Sequence, residues 1–186
     1  MAGFQDGIKA YKKIRMSAYN IDEHTHRFAL WTAARAVQRS FTNTENIKFA
    51  IDESGLRNFV ESFTCNSVAE FDKFHKQCAD KIVNAFKAKG IDEVSYGRAA
   101  KIIGIYLKTA IVIRSGGLDT RCSFIHPPVD RILLTRLSGF DELKGLKNKN
   151  WTQLTKDAYW EIVDIIRKSR FPFDWTLEEY WESVKE

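Results

Sequence analysis

Proline and glycine are scarce, 3 and 10 residues in a chain of 186. A fold built from many short strands needs tight turns that favour both, so the composition argues against an all-β protein. Cysteine is equally sparse. Cys65, Cys78 and Cys122 are odd in number and too far apart for a CxxC pair, so no disulfide framework or zinc knuckle is readable. A reducing, cytoplasmic setting is the expectation. Long apolar runs are also missing. The longest, Ile102 to Ile113, spans 12 residues and contains Lys108, which suits a buried helix rather than a membrane span. The N-terminal stretch MAGFQDGIKAYKKIRM carries charge in every turn, unlike a signal peptide. No phosphate-cradling glycine loop and no serine or cysteine nucleophile motif occurs, and no cofactor is expected.

What remains is ordinary globular composition, 44% hydrophobic and 28% charged. The charge is unevenly placed. Residues 171–186 hold five acids and one base, a net −4, so with +5 overall the first 170 residues carry +9. A basic body with an acidic C-terminal segment points to a polyanionic partner, DNA first among them. No repeats, low-complexity tracts or linkers break the chain, and one compact all-α domain over residues 1–186 is the expected architecture.

Helical periodicity supports this. Helices are expected over Phe4 to Ala18, from an Asp22 N-cap to about Ser40, and from Thr44 to Ser54 with Gly55 as the stop. The helix after Asp22 is apolar nearly all round (Phe28, Leu30, Trp31, Ala33, Ala34, Ala36, Val37), as a central helix would be. Further helices are expected over Ser67 to Lys89, Tyr96 to Arg114, Pro127 to Ser138 and Trp151 to Arg170, followed by a short acidic one. A basic loop, Lys144 to Asn150, leads into the penultimate helix.

Histidines offer little. His24 and His26 stand two apart beside Asp22 and Glu23, and on a helix such residues diverge rather than share a metal. A metal-dependent nuclease using these four is a third possibility, and His75 suits a structural role. The stretch from Ser95 to Leu137 is richer. Arg98, Lys101 and Lys108 share a polar stripe on its first helix, and Lys101 sits early enough for the helix dipole to disfavour its positive charge. A lysine so disfavoured is the sort that acts as an amine nucleophile. In the segment HPPVD, from His126 to Asp130, the carboxylate falls among the unpaired amides of a helix start, which favour its ionised form.

A helix with an early lysine, a connection, and a second helix opening on proline-valine-aspartate resembles the helix-hairpin-helix DNA glycosylase superfamily, its archaeal 8-oxoguanine glycosylase branch in particular. The match covers about 43 of the 186 residues. Only Gly97 stands near the family's glycine-rich hairpin turn, and the family's four-cysteine iron–sulfur set is absent from the sequence. The chain is also similar to uncharacterised bacterial helical proteins with HRFALWTAARAVQR and HPPVDRILL-type segments. The superfamily resemblance implies Asp130 as the essential carboxylate and Lys101 as the lysine that attacks the sugar in bifunctional members.

The implied function is excision of a damaged or modified base from DNA, in repair or in defence against phage. An extruded base needs aromatic walls. Phe28, Trp31, Tyr106, Phe124, His126 and Trp175 are the candidates. Phosphate contacts are expected from Arg98, Lys108, Arg131, Arg136, Lys144, Lys147 and Lys149. The alternative is a non-catalytic helical protein that binds nucleic acid or a protein partner.

Overall fold

A computed structural model describes residues 19–181 apart from 40 and 63, and every regular element among them is helical. The expected helix over Phe4 to Ala18 lies outside the described residues. No helix among the described residues is long and apolar enough to cross a membrane.

Helix α1 (Ile21–Val37) starts two residues earlier than the sequence implies. Asn20, not Asp22, is its cap, with the side chain accepting from the amides of Asp22 and Glu23. Helix α2 (Thr44–Ser54) runs from an Asn43 cap to Gly55, whose φ of 88° is the left-handed turn that glycine allows. A short α3 (Leu56–Ser62), unforeseen in the sequence, follows at once. Helix α4 (Val68–Ala88) turns Phe71, His75, Cys78, Ala79, Ile82 and Phe86 inward at spacings of three and four.

Helix α5 (Tyr96–Leu107) is the centre of the molecule. All but two of its twelve residues are buried, and α1, α3, α4 and α7 (Lys156–Arg167) all pack on it. Small residues make this possible: Ala29, Ala33 and Ala34 of α1 are wholly buried, as is Ala99 of α5. The expected straight helix to Arg114 is instead interrupted. Lys108–Ile113 form a π-helical stretch, and the chain turns at Gly116 and Gly117 with positive φ.

Past a 3₁₀ turn at Thr120–Phe124, the chain runs extended through His126, Pro127 and Pro128 before α6 (Arg131–Leu137). The two prolines therefore precede the helix rather than open it. A proline drives the residue before it towards extended conformations, so Pro128 keeps Pro127 out of the helix. A 3₁₀ turn at Asp141–Leu146 takes up the first part of the expected basic loop. The expected helix from Trp151 divides into a 3₁₀ turn, Trp151–Gln153, and α7, capped by Thr155. The acidic segment folds as a 3₁₀ helix, Trp175–Tyr180, that packs against α6.

One stripe of α5 decides what lies against it. Gly97, Lys101, Gly104 and Lys108 follow each other at intervals of four, three and four, and so line one face. A methyl group on Gly97 would sit 2.0 Å from the Trp151 carbonyl oxygen, and the Gly97 N–H donates to the Leu154 carbonyl at 3.1 Å. A methyl group on Gly104 would come within 3.0 Å of Pro128 Cα. The two glycines thus admit two backbone segments, one on either side of Lys101.

Gly97→Ala is expected to cost roughly 1–3 kcal/mol of stability, because both clashing partners are backbone or buried. Gly145→Ala, with no atom within 4 Å of the added methyl, should melt as the parent does. Equal melting of the two variants would refute this account of the close approach.

Candidate active site

Between those two backbone segments Lys101 meets Asp130. The Nζ lies 3.2 Å from Asp130 Oδ2, and each side chain is only 10% exposed. Asp130 is the N-cap of α6. Its Oδ1 accepts from the Leu133 amide at 3.0 Å, while Oδ2 also accepts from the Trp181 indole N–H at 3.0 Å. The Trp151 ring lies under the ammonium, 4.3 Å from Nζ to its centroid. The charge opposite the buried ammonium is supplied by the Asp130 carboxylate.

Next along the stripe, Lys108 pairs with Glu178 of the acidic segment and reaches to 5.8 Å from the Trp181 ring centroid. Burial raises the Glu178 carboxyl above its usual range; the Lys108 hydrogen bond opposes this, and the charge of Asp130 adds to it. The site is therefore two lysines, two carboxylates and two tryptophans. Sequence reading missed Trp151, Trp181 and Glu178. The signal lay in the acidic segment itself, where Trp175, Tyr180 and Trp181 alternate with the acids as a merely solvated tail would not.

A line of polar rings anchors the segment that carries Asp130. Trp160 Nε1 donates to the Tyr96 hydroxyl at 2.9 Å, and that hydroxyl stands 3.4 Å from His75 Nδ1. His75 Nε2 is 3.4 Å from the Tyr159 hydroxyl, which is 3.1 Å from His126 Nδ1; His126 Nε2 is 3.1 Å from Asp72. With both imidazoles neutral, the donors can all point one way, from Trp160 to Asp72, and Arg167 Nη2 also lies 3.2 Å from His126 Nε2. Burial lowers His126 from 6.5 to about 4 against the pull of Asp72, and lowers His75 far below its ordinary value. Burial would raise Asp72, but hydrogen bonds from Arg167 and His126 outweigh it and hold the carboxyl well below the usual range. His126 is thus a buried anchor four residues before Asp130.

No protein family, curated protein or solved structure matches this chain.

The phosphate-contact candidates divide. Arg131, Lys147 and Lys149 line one cleft of about 460 Å³ together with Asn148, Asn150 and Trp151, whose ring also carries Lys101. Lys149 also reaches Glu161 at 2.7 Å. Lys144 pairs with Asp141 at 2.8 Å, and Arg136 is exposed on α6. Arg98 lies over the Phe41 ring at 4.2 Å rather than along a solvent-facing stripe, and Lys108 is held by Glu178.

The base-wall candidates do not gather. Phe28 and Trp31 stack on each other on the exposed side of α1. The buried Tyr106 hydroxyl lies 2.8 Å from His26 Nδ1, beside a separate cleft of about 430 Å³ lined by Arg57, Glu61 and Arg114. Phe124 is half-buried against the core, and Trp175 covers Gly117. The four residues of the nuclease reading also separate: Asp22 binds Arg114, Glu23 binds Arg27 and Arg57, His24 lies against Tyr19, and His26 turns inward to Tyr106. Among the described residues no group of three or more His, Cys, Asp or Glu is arranged to hold a metal ion.

The histidine anchor carries a sign for acid stability. Between pH 6.5 and about 4 the unfolded chain binds a proton on His126 and the folded chain does not, and His75 is shifted in the same direction. The His126 contribution is complete above pH 6.5 and is lost as pH falls through about 4. Asp72, also lowered, adds a loss below its unfolded value of 3.8. Urea denaturation should show stability falling across this window by roughly 3 kcal/mol for His126 alone. The slope should flatten in His126→Gln; an unchanged slope would remove His126 as its source.

Proposed function

We propose that this protein cleaves the N-glycosidic bond of a damaged or modified base in DNA, in repair or in defence against phage, with Asp130 as the catalytic carboxylate. One observation carries the reading. A lysine and an aspartate 29 residues apart in sequence are held 3.2 Å apart below the surface, with Trp151 shared between the pair and a cleft of cationic and amide side chains.

The chemistry follows from the charges. As the bond from C1′ to the base nitrogen breaks, the electron pair leaves with the base and positive charge develops on the sugar. A carboxylate fixed by an amide and an indole in a water-poor site opposes that charge without reorganising. Asp130 can then take the proton of the water whose oxygen bonds to C1′. Lys101 holds the carboxylate in place. In a bifunctional version it would pass a proton to Asp130, attack C1′ itself and leave an imine that borohydride reduces. Arg131, Lys147 and Lys149 would hold the backbone phosphates on either side of the extruded nucleotide.

A second reading, a non-catalytic nucleic-acid-binding or partner-binding protein, is favoured by one feature. Asp130 is 7% exposed, and Trp181 occupies the oxygen that faces Lys101. Substrate must displace that indole before it meets the carboxylate.

Incubation with a panel of damaged and phage-modified DNA in EDTA, followed by alkaline cleavage, tests the proposal. Asp130→Asn keeps a good helix cap while removing the charge. It is expected to lower abasic-site formation by on the order of 10²–10³-fold with helicity retained. Equal activity in the variant would discard Asp130, and no abasic sites on any substrate would favour the binding protein. A borohydride-trapped adduct that disappears in Lys101→Ala would add the lyase step.

A further inference from the structure

The outer side of α1 carries rings that the candidate active site does not use. Its buried face is Ala29, Leu30, Ala33, Ala34 and Val37. On the opposite face Ile21, His24, Phe28, Trp31 and Arg35 follow at intervals of three, four, three and four, all exposed. Phe28 and Trp31 are 51% and 52% exposed, with ring centroids 5.8 Å apart and planes within 19° of parallel. Nearer the start of the helix, Tyr19 lies 5.7 Å from the His24 ring. A flat aromatic pair, with a tilted Tyr19–His24 contact beyond it, therefore stands in water along one side of a helix, and that exposure costs free energy unless something covers it.

The flanking charges select the occupant. Arg27 and Arg35, each four residues from Trp31, are exposed beside it; Arg27 is tied at the surface to Glu23, its neighbour one turn back. A surface ion pair of that kind yields easily to a stronger anion. Rings that present their faces, bordered by arginines, suit unpaired bases stacked on the rings with phosphates against the guanidinium groups. In a duplex the bases already stack on one another, so a single strand fits better. A second copy fits poorly. Two α1 helices packed antiparallel about Phe28 would bury Arg35 against Ile21, and packed parallel they would set Arg35 against Arg35. One 17-residue helix pair is also a small contact compared with the roughly 1,200–2,000 Å² of a stable interface.

We propose that the outer face of α1 is a docking surface for single-stranded nucleic acid, with bases stacking on Phe28 and Trp31 and phosphates met by Arg27 and Arg35. The surface acts whether or not Asp130 excises a base. The measurement is fluorescence anisotropy of a labelled 12-residue oligothymidylate, and of a duplex of the same length, against the full chain. The Phe28→Ala/Trp31→Ala double variant should bind the single strand roughly 10- to 100-fold more weakly. Its melting should be unchanged, because both rings are half in water, and duplex binding should fall less. Arg35→Gln should reduce the log–log salt slope by about 0.7. Leu118→Ala, at an exposed apolar residue elsewhere in the chain, should bind the strand as the parent does. No binding of the single strand by the parent, or equal binding by the double variant, overturns the proposal. So would a dimer seen by light scattering, or binding to anionic vesicles, that the double variant alone loses while strand binding persists.

Discussion

The ion pair between Lys101 and Asp130 brings four parts of the chain, α5, the start of α6, the Trp151 turn and the acidic segment, to one point. Taking two charges out of water costs several kcal/mol for each, and the mutual attraction recovers that only when the remaining donors and acceptors are also matched. Each neighbouring element performs part of this matching. The first turn of α6 gives an amide to Oδ1, the acidic segment gives the Trp181 indole to Oδ2, and the Trp151 turn puts a ring face under the ammonium. Gly97 and Gly104 allow two of these elements to reach the lysine at all. An apolar pair of similar volume would hold the same elements together at less cost, so stability alone is a poor reason for the arrangement.

The row of rings from Trp160 to Asp72 works by a different principle. It contains no internal ion pair except at its Arg167 end, where the guanidinium grips both Asp72 oxygens. Its order comes from direction: between Trp160 and His126 the donors can face the same way, and protonating either imidazole would set two donors against each other. Such a chain is rigid while neutral. It fixes the backbone at His126 and, through two prolines with restricted φ, the place where Asp130 begins α6.

Much of the fold was legible in the sequence, where local chemistry decides it. Helix α2 spans Thr44 to Ser54 and stops at Gly55 as the residues suggest, and Pro127, Pro128 and Asp130 mark the start of a helix to within about a turn. Elsewhere tertiary context wins. The composition of α1 reads as apolar all round, yet periodicity cannot say that the aromatic pair lies outside and the alanines inside until α5 is placed against it. The π stretch in Lys108–Ile113 is likewise invisible, since an apolar run of this kind reads the same whether it winds as α or π. At the site, Lys101 and Asp130 were legible as separate helix-start residues and as a pair only through resemblance. Trp181 and Glu178 were hidden because a run of acids reads as solvated when its tryptophans and tyrosine are averaged into it.

In helical register a π stretch is an α-helix holding one residue too many. Were the same residues wound as a plain α-helix, Gly97, Lys101 and Gly104 would stay where they are and everything beyond the stretch would turn by about 100°. Arg114 would then swing away from Asp22 on α1. The grip of the central helix on α1 at that end and its grip on Asp130 are therefore separable by winding alone, without a change in any side chain that makes either contact.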